Sequence, residues 1–398
     1  MKSISAVTIN TPNTTYYSMR IAVIADDLTG ALDTGVQFKQ WGYEAKLVEN
    51  LDNPKAQAVI INTDTRNKTR DEAYQIVYNI AEQLREYDII YKKIDSTLRG
   101  NPGAEMEAIL DATGEKQAIF TPAYPPTMRS VKQGHLYIGE DALTETEYIQ
   151  EHREKTSYIP EILDIDTETH IQVTPDNITE NGIIIIDSDT EKDLQKIAAN
   201  HTRILAGSAG LADALCHTLR DPPPVMTVIG STRSETRNQA EQLHIRLDVA
   251  LIPLNTLKAL GQTPQYETIQ RARRALKQRR DLIITSAPSR RVVEQTWGEA
   301  KRLDLSQKEI ETRITMTLAQ ITEELLKNEL SGIIITGGAT AQAITRQLKT
   351  KEITILDEVQ PGVPVIRLDE TPAVTKAGGF GQPDTLIQAT KYLKRKHK

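Results

Sequence analysis

Two adjacent carboxylates, Asp26 and Asp27, follow an apolar run and directly precede a helical pattern. Like charges side by side repel, so the pair destabilises the fold unless a cation, a ligand or a helix N-terminus takes up its charge. One aspartate could be a helix N-cap and the other an exposed neighbour. The pair could instead align or deprotonate a hydroxyl group of a ligand.

A second charged turn follows another predicted strand. Here Lys92, Lys93 and Arg99 bracket Asp95 and Ser96. The planar guanidinium group matches a carboxylate or a phosphate, and a neighbouring lysine adds a point charge. The turn therefore predicts a site for an anionic small molecule, with ordinary surface ion pairs as the alternative.

A third turn, at 121–140, is stiffened by prolines and carries Arg129, Lys132, His135 and Tyr137. An isolated histidine is more often structural than catalytic, so His135 adds little by itself. Together the three turns offer carboxylates for hydroxyl groups and cations for an acid, which is what a polyhydroxy acid requires.

The second half of the chain has small and glycine residues in its turns, at 230–239, 335–343 and 375–384. Such loops bring backbone N–H groups close to helix starts, where phosphate binds through the helix dipole and nest geometry. A nucleotide is the expected ligand, although glycines also serve ordinary strand-to-helix turns. No GxxxxGK[ST] motif occurs and no GxGxxG follows a strand, which disfavours a Walker-type loop and a dinucleotide fold.

The segment 183–191 resembles the DxDxT motif of aspartyl-phosphate phosphatases, whose first aspartate is a nucleophile. Thr190 directly follows Asp189, one position too early for that motif. We therefore interpret Asp187 and Asp189 as capping residues.

These turns belong to a recurring unit of a β-branched apolar run, a turn with Gly, Asp or Ser, and an amphipathic stretch of period 3.6. The unit predicts an α/β fold with mostly parallel sheets, whose strand ends face a common crevice. In the first helix, Asp27 is the expected N-cap and Gly42 the expected stop. A later helix should begin with Asn101 as N-cap and Pro102 at its first position, with Gly114 beyond its end. The apolar face of the first helix is predicted from Leu28, Ala31, Leu32, Gly35 and Val36.

At 398 residues the chain exceeds a typical single core, which favours two domains. The prolines of DPPPV, at 221–225, deny helix and sheet hydrogen bonds and stiffen the chain. A boundary there predicts an N-terminal domain at 19–221 and a C-terminal domain at 226–398.

The composition excludes several classes of protein. No run of 18 apolar residues occurs, so we expect no membrane span or membrane partner. The net charge is −6, so we expect no binding to nucleic acid. The basic runs at 273–280 and at the C-terminus are typical of solvated surface. The single cysteine, Cys216, excludes an intrachain disulfide and suits a reducing compartment, so the expected location is cytoplasmic. The first 18 residues lack the apolar stretch of a signal peptide and are interpreted as a loose extension, with Met19 as an alternative start.

An ordered set of motifs resembles the four-carbon acid sugar kinase family from about residue 20 to the C-terminus. The motifs are IADDLTGALDTGV, KKIDSTLRGN, PAYPP with R and GH following, AGSAGLA, GSTRSETRNQ, TGGAT, and PGVP with TKAGGFGQPD. The resemblance implies two α/β domains with a ligand cleft between them, the first binding a four-carbon sugar acid and the second ATP. It also implies transfer of the γ-phosphoryl group to the terminal hydroxyl, and Mg²⁺ neutralises phosphate charge in such reactions. The sequence does not identify the metal ligands.

The resemblance also implies the site residues. Those of the sugar-acid site are Asp26, Asp27, Lys93, Asp95, Ser96 and Arg99, with Arg129 and His135 nearby. Those of the ATP site are Ser231, Gly337, Gly338, Ala339, Thr340, Gly378 and Gly379. We hypothesise that Asp26 or Asp27 is the base and that Arg99 binds the substrate carboxylate. Closure of the domains across the proline hinge would bring ATP to the hydroxyl and exclude water.

Three motifs depart from the family's usual pattern. GSCS reads GSTR, with Arg233 in place of a small residue; GGET reads GGAT, which removes a carboxylate at Ala339; and SGNFG reads AGGFG around Gly379. The backbone donors remain, so nucleotide binding is expected to persist.

The motifs indicate the class of substrate more closely than the individual acid. The opening motif and the segment 143–148 resemble threonate and erythronate kinases more than the 3-oxo-tetronate branch, and D-threonate is the expected substrate. D-erythronate and 3-oxo-tetronate are alternative substrates. A sugar-acid-binding protein without catalysis is the competing class, and it would need no nucleotide loops. A homodimer is expected from family habit alone.

Overall fold

The computed structural model describes residues 19–51, 54–176, 178–200 and 202–397. The extension expected at 1–18 lies outside these residues. The chain divides into two compact units, of which the first ends at Arg220 and the second begins at Asp221. The division falls at the start of the DPPPV run.

The N-terminal unit contains eleven strands and six α-helices in its described part. The strands are β1 (Ile21–Ala25), β2 (Ala45–Val48), β3 (Ala58–Asn62), β4 (Ile89–Lys93), β5 (Gln117–Thr121), β6 (Arg129–Lys132), β7 (His135–Ile138), β8 (Asp141–Ala142), β9 (Thr169–Gln172), β10 (Gly182–Ile186) and β11 (Ile204–Gly207). The helices are α1 (Leu28–Gln40), α2 (Arg70–Gln83), α3 (Pro102–Thr113), α4 (Ile159–Leu163), α5 (Glu191–Ala198) and α6 (Ala209–Arg220).

Eight of these strands form one parallel sheet with the order β2-β3-β1-β4-β11-β5-β10-β9. Strands β1 and β10, with the sequences IAVIA and GIIII, are buried at every position. Continuous burial requires cover on both faces of a sheet, which parallel crossover helices provide. The mostly parallel α/β fold predicted from the sequence is confirmed.

The strand order creates a switch point at β1. Strands β2 and β3 lie on one side of β1. Strand β4 and the later strands of this sheet lie on the other side. In open α/β sheets, such a point leaves a crevice at the carboxyl ends of the strands. The aspartate pair follows β1, and the charged KKIDSTLRGN turn follows from β4, so both turns lie at this crevice.

The proline-stiffened segment at 121–140 is more regular than a loop. A short 3₁₀ helix at Pro125–Thr127 leads into β6, β7 and β8, which form a separate antiparallel sheet of three strands. The prolines therefore end β5 and turn the chain into a hairpin outside the main sheet.

The C-terminal unit contains seven strands and seven α-helices in its described part. The strands are β12 (Val225–Ile229), β13 (Ala250–Pro253), β14 (Leu282–Thr285), β15 (Gly332–Thr336), β16 (Ile353–Gln360), β17 (Val363–Leu368) and β18 (Thr371–Lys376). The helices are α7 (Ser234–Leu247), α8 (Thr256–Leu260), α9 (Tyr266–Lys277), α10 (Arg290–Arg302), α11 (Gln307–Leu325), α12 (Gly338–Gln347) and α13 (Thr385–Lys396).

These seven strands form one sheet with the order β13-β14-β12-β15-β18-β17-β16. Strands β13, β14, β12, β15 and β18 are parallel, and β16–β17–β18 is an antiparallel meander at one edge. Strands β13 and β14 follow β12 in the chain and lie on one side of it, and β15 lies on the other side. This change of side leaves a second crevice at the carboxyl ends of β12 and β15.

Helix α11 has 19 residues, the greatest length among the described helices. It begins with a capping box, in which the Ser306 hydroxyl and the Glu309 carboxylate each satisfy the other's backbone N–H group. Among the described residues, no helix combines the length and the apolar character needed to cross a membrane.

The predicted apolar face of α1 is wrong at three of its five positions. Leu28, Leu32 and Val36 are 50%, 56% and 43% exposed, whereas Ala31 and Phe38 are buried. Asp27 caps the helix as predicted, and the buried residues of the helix are Gly30, Ala31, Thr34, Gln37 and Phe38. The predicted helix ends at Gly42 and Gly114 are confirmed, with left-handed φ values of 80° and 74°, and α3 begins after Asn101 with Pro102 at its first position, as predicted.

Candidate active site

A cavity of about 270 Å³ in the N-terminal unit lies at the carboxyl ends of β1 and β4. Six of the eight residues predicted for the sugar-acid site line it: Asp27, Lys93, Asp95, Ser96, Arg99 and Arg129. Residues far apart in sequence meet here because parallel strands present all their carboxyl ends at one edge of the sheet.

Arg66, in the loop after β3, holds the aspartate pair. Its Nε and Nη2 lie 2.7 and 3.0 Å from the two carboxylate oxygens of Asp26, and its Nη1 lies 2.7 Å from Oδ2 of Asp27. Asp26 is 2% exposed and does not line the cavity. Asp27 lines it, and its Oδ1 accepts the N–H of Gly30 at 2.7 Å. The repulsion within the pair is thus offset by one guanidinium group and by the start of α1.

Asp95 and Arg99 form a second ion pair in the cavity wall. Arg99 Nη2 lies 2.8 Å from Asp95 Oδ2, and the N–H of Thr97 donates to Oδ1 at 3.0 Å. Burial opposes ionisation of Asp95, but the bonds from Arg99 and Thr97 prevail and hold its pKa well below the ordinary value. Arg99 also pairs with Glu151 at 3.1 Å. A substrate carboxylate can bind Arg99 only alongside these acids or by displacing one of them.

The adjacent lysines of β4 point to opposite faces of the sheet, as alternate strand residues do. Lys92 is fully buried and pairs with Glu105 of α3 at 2.9 Å. Lys93 lies on the α1 side, where a Cβ on Gly30 would be 3.0 Å from its Nζ. Burial lowers the pKa of Lys93, and the neighbouring carboxylates oppose that shift. Lys93 therefore lines the cavity. Lys92 lies on the other face, where its ion pair with Glu105 holds α3 against the sheet.

The structure separates the two residues predicted from the third turn. Arg129 lines the cavity, and its guanidinium carbon lies 5.6 Å from the centre of the Tyr148 ring. His135 does not line it. The His135 Nδ1 lies 2.9 Å from Ser157 Oγ, and its ring packs on Tyr158 at 5.0 Å. His135 therefore packs the small antiparallel sheet, which is the ordinary role of an isolated histidine.

Sequence reasoning missed two charged residues of this cavity, Arg66 and Asp33. Arg66 follows the apolar run of β3 in a polar turn, which is the same signal that marked the turns after β1 and β4. Asp33 lies in α1 and lines the cavity near Lys93. Burial raises the pKa of Asp33, and Lys93 opposes the shift. Its position six residues after Asp27 gave no signal, since a helical carboxylate is usually solvated.

The interpretation of Asp187 and Asp189 as capping residues is wrong in detail. Thr190 is the N-cap of α5. The Asp187 carboxylate accepts the N–H groups of Gln133 and Gly134 at 2.6 and 3.0 Å. Asp187 thus anchors the turn between β6 and β7, and its oxygens are engaged by backbone donors.

The C-terminal unit has a cavity of about 680 Å³ where β12, β15 and β18 end. All residues predicted for the ATP site line it: Ser231, Gly337, Gly338, Ala339, Thr340, Gly378 and Gly379. Arg233 lines it as well, so the side chain that departs from the family motif faces the cavity.

Two helices begin at this cavity without a side-chain cap. Gly337 precedes α12 with a φ of 98°, which a residue with a Cβ adopts only under strain, and Arg233 precedes α7. The first backbone N–H groups of an uncapped helix attract anions, since they lack intrahelical partners and carry the positive end of the dipole. The rest of the lining includes an apolar group, formed by Val293, Trp297, Ile310, Ile314 and Phe380.

Lys376, the last residue of β18, lies beneath the 377–380 loop. It is 3% exposed, and its Nζ lies 3.1 Å from the carbonyl oxygen of Ala377 and 3.0 Å from that of Phe380. Burial lowers the pKa of Lys376 to about 8, opposed by the charge of Glu235. Lys376 therefore holds the glycine loop by its carbonyl oxygens.

The described residues contain no group of three or more His, Cys, Asp or Glu side chains placed to hold a metal ion. The C-terminal cavity has one lining carboxylate, Glu311. Magnesium bound with a nucleotide is usually held by phosphate oxygens and water, with one or two carboxylates. The donor set is therefore compatible with an ion that arrives with its nucleotide.

Both units match family models. Residues 21–215 match the model described as "Sugar-binding N-terminal domain", and residues 226–386 match the one described as "Nucleotide-binding C-terminal domain". The boundaries of the two matches enclose the two cavities described above. The chain belongs to the four-carbon acid sugar kinase family, whose members are phosphotransferases.

Relatives cover nearly the whole chain. It is 29% identical to D-threonate kinase of Salmonella typhimurium, over 94% of this chain and 98% of the relative, and 27% identical to D-erythronate kinase of Heliobacterium modesticaldum, over 94% and 97%. A crystal structure from Bordetella bronchiseptica, described as a domain of unknown function with bound citrate and as a domain-swapped dimer, is 28% identical with a TM-score of 0.58. The match covers 95% of this chain and 98% of that one.

Proposed function

We propose that this protein is an ATP-dependent kinase that phosphorylates the terminal hydroxyl of a four-carbon sugar acid, with D-threonate as its substrate. The observation that carries the proposal is the convergence of separate motifs: residues from three strand ends line a charged cavity in one unit, and all predicted ATP residues line one cavity in the other. The names of the relatives support the substrate class. D-erythronate and 3-oxo-tetronate are the alternative substrates.

The N-terminal cavity suits a polyhydroxy acid. Its wall alternates carboxylates, which accept hydrogen bonds from hydroxyl groups, with Lys93, Arg99 and Arg129, which attract a carboxylate. Arg99 is the proposed carboxylate ligand, and because it is paired with Asp95 and Glu151, binding would shift Arg99 from one partner toward the substrate.

Asp27 is the proposed base. Asp26 is buried behind Arg66, so of the two aspartates Asp27 is the one that lines the cavity. Its two oxygens each accept one hydrogen bond, from Gly30 and Arg66, and each retains a lone pair for a substrate hydroxyl. Asp33 is the alternative base, because its burial raises its pKa and favours proton uptake.

The C-terminal cavity suits ATP. The uncapped starts of α7 and α12 and the glycines at 377–379 would bind the phosphates through backbone N–H groups, and the apolar group around Trp297 and Ile314 would pack on the adenine ring. Bound as its magnesium complex, ATP would bring the ion that neutralises the charge on the transferred phosphoryl group. Glu311 is the lining carboxylate available to that complex.

Phosphoryl transfer depends mainly on positioning and charge neutralisation. The ligand cleft between domains, and the domain closure expected from the sequence, are both parts of the proposal, since the γ-phosphate must reach a hydroxyl held by Asp27. Closure would exclude water from the reaction, and we therefore expect low ATP hydrolysis without sugar acid.

The first test is ADP release with ATP and Mg²⁺ across D-threonate, L-threonate, D-erythronate, L-erythronate and 3-oxo-tetronate. We expect turnover on D-threonate, and we expect Asp27→Asn to lower kcat/KM by about 10²–10⁴-fold, the range of a general base. The control is Asp141→Asn, which changes an exposed aspartate of the same unit and should leave kcat/KM unchanged.

The outcomes separate the remaining hypotheses. If Asp27→Asn keeps full activity and Asp33→Asn loses it, Asp33 is the base. If the protein binds both sugar acid and ATP in calorimetry and no acid in the panel releases ADP, the proposal of a kinase for these acids is wrong, and a binding protein without catalysis replaces it.

We also propose a homodimer. Support comes from the Bordetella bronchiseptica structure, whose description names a domain-swapped dimer. Light scattering after size-exclusion chromatography tests this, and a mass equal to the 44.4 kDa of one chain at all concentrations would contradict it.

A further inference from the structure

One edge of the C-terminal sheet is a long open strand. Strand β16 is the last strand of that sheet, and in the described part of the chain no strand pairs with its outer edge. It has eight residues, whereas the other edge strands of the two main sheets, β2, β9 and β13, have four each. An open edge offers main-chain N–H and C=O groups to another strand, and proteins commonly limit this by keeping edge strands short.

The exposed side chains of β16 include three large apolar ones. Ile353, Ile355 and Leu356 are 48%, 79% and 50% exposed, and no other large apolar side chain among the described residues is as exposed as Ile355. Ile353 and Ile355 lie opposite Leu368 and Ile366 of β17, which belong to the core. Because opposite residues share a face of the sheet, the two isoleucines extend this apolar face beyond the core and into solvent. An apolar patch at an open edge is typical of an interaction site.

The bonds between β16 and β17 determine which main-chain groups face the open edge. The N–H of Asp369 donates to the carbonyl oxygen of Glu352, so Glu352 and, two residues further on, Thr354 turn their main-chain groups toward β17. The alternate residues, Ile353 and Ile355, therefore turn theirs outward. The register with β17 shifts after Ile355, and such a bulge interrupts regular pairing, so the segment that is ready to pair ends there.

The charges that flank this segment make β16 complementary to a second copy of itself. Lys349 and Lys351 precede the segment, and Asp357 and Glu358 follow it; all four are exposed. The preceding side remains positive overall despite Glu352. In an antiparallel pair of identical strands, the basic end of each strand lies beside the acidic end of the other, whereas a parallel pair would place like charges together.

The two acids of β16 are bonded to neutral groups within the chain. Asp357 accepts the O–H of Tyr392 at 2.7 Å, and Glu358 accepts the N–H of Gly362 at 2.8 Å. These bonds hold the carboxylates in place and leave them their negative charge, which can attract the basic end of another strand.

We infer that β16 is a dimer interface, at which two copies of the chain pair their β16 strands antiparallel about a two-fold axis through Thr354. Ile353 of each copy would lie beside Ile355 of the other, with main-chain hydrogen bonds at both positions, and the two C-terminal sheets would form one continuous sheet. Because each copy contributes the same edge, the contact closes at two copies and leaves neither edge open. The inference rests on the homodimer proposed above and is independent of the kinase activity.

The test is sedimentation of the full chain and its variants over a range of concentrations. Ile353→Lys/Ile355→Lys places lysine opposite lysine across the axis, and we expect it to raise the Kd of the dimer at least tenfold. Ile353→Lys/Ile355→Glu places each lysine opposite a glutamate, and we expect it to dimerise at least tenfold more tightly than the first variant. The control is Leu257→Lys/Tyr266→Lys, at side chains of the same unit that are 48% and 73% exposed, which should keep the wild-type Kd.

Amide hydrogen exchange measures the main-chain bonds directly. The N–H groups of Ile353 and Ile355 should exchange more slowly in the dimer than at concentrations where the wild-type protein dissociates. Thr354, which is already turned toward β17, should change little. Equal exchange of Ile353 and Ile355 in dimer and monomer would contradict strand pairing.

The sedimentation results separate the remaining possibilities. The wild-type Kd in both Ile353/Ile355 variants would overturn the inference and leave the homodimer standing, held by another surface. Equal weakening in both would contradict pairing about Thr354 and overturn it as well. A wild-type protein that stays monomeric at all concentrations would contradict the proposed homodimer, and the inference with it. Melting temperatures of the variants exclude loss of folding as the cause.

Discussion

The two cavities on the strand ends use different chemistry. The N-terminal cavity is walled by charged side chains that are already paired with one another, such as Arg66 with Asp26 and Arg99 with Asp95. The C-terminal cavity is lined by glycine loops and by the uncapped starts of α7 and α12. The first site depends on the identity and charge of a few side chains, and the second on the shape of the main chain. Substitutions should therefore damage the two sites in different ways.

The largest effect is expected from Arg66→Ala. It leaves Asp26 buried and without its counter-charge, and removing one partner of a buried ion pair costs about 3–5 kcal/mol of unfolding free energy. Urea unfolding followed through Trp41 in a Trp297→Phe background measures this for the N-terminal unit. Glu82→Ala, which breaks the exposed pair with Arg85, should cost about 1 kcal/mol or less. Equal losses in the two variants would refute the view that Asp26 depends on Arg66.

A steric change should damage the C-terminal site without any change of charge. A Cβ on Gly378 would lie 3.1 Å from the Cβ of Ser231 and 3.3 Å from Cγ of Arg233, so the loop must move. We expect Gly378→Val to raise the KM for ATP at least tenfold, which corresponds to about 1.4 kcal/mol, and to leave the KM for sugar acid unchanged.

The matched control is Gly298→Val, because a Cβ on Gly298 meets no atom within 4 Å. This variant should keep the wild-type KM for ATP. An unchanged KM in Gly378→Val would show that the loop at 377–379 does not contact the nucleotide.

The stability of the C-terminal unit should depend on pH, because the ionisable Lys376 holds the glycine loop of its cavity. Burial lowers its pKa to about 8 from the ordinary 10.5, so between these values the unfolded chain binds a proton that the folded chain has lost. The free energy of unfolding of the C-terminal unit should therefore rise with pH across that window, by about 1–3 kcal/mol.

Urea unfolding at a series of pH values, followed through Trp297, measures this rise. Lys376→Met should lack it, and Lys258→Met, at an exposed lysine of the same unit, should retain it. The same slope in wild type and Lys376→Met would refute the assignment of the rise to Lys376.

The smallest effect is expected from Ser231→Ala. The Ser231 hydroxyl makes two long bonds within the protein, with the N–H of Arg233 and with Thr236 Oγ1, both at 3.3 Å. Its removal leaves the backbone donors in place, so the KM for ATP should rise by less than about threefold, below about 1 kcal/mol. A loss as large as that of Asp27→Asn in kcat/KM would show that this site, too, depends on a side chain.

The sequence by itself determined the fold class and the turns that carry the predicted site residues. Buried parallel strands read as continuous apolar runs, and caps such as Asp27, Gly42 and Gly114 depend on local backbone geometry, so both are visible within a few residues. The glycine loops of the C-terminal cavity were visible for the same reason, since backbone donors need only a local conformation.

Only the tertiary structure decided which charges pair. Arg66 reaches Asp26 across 40 positions of sequence, and this contact buries Asp26 and leaves Asp27 at the cavity. The adjacent Lys92 and Lys93 look alike in sequence, but they lie on opposite faces of the sheet. Lys92 pairs with Glu105, and Lys93 lines the cavity. A side chain's partners are set by the packing of elements that are distant in sequence, and local periodicity does not predict them. The exposure of Leu28, Leu32 and Val36 in α1 and the position of His135 outside the cavity have this same cause.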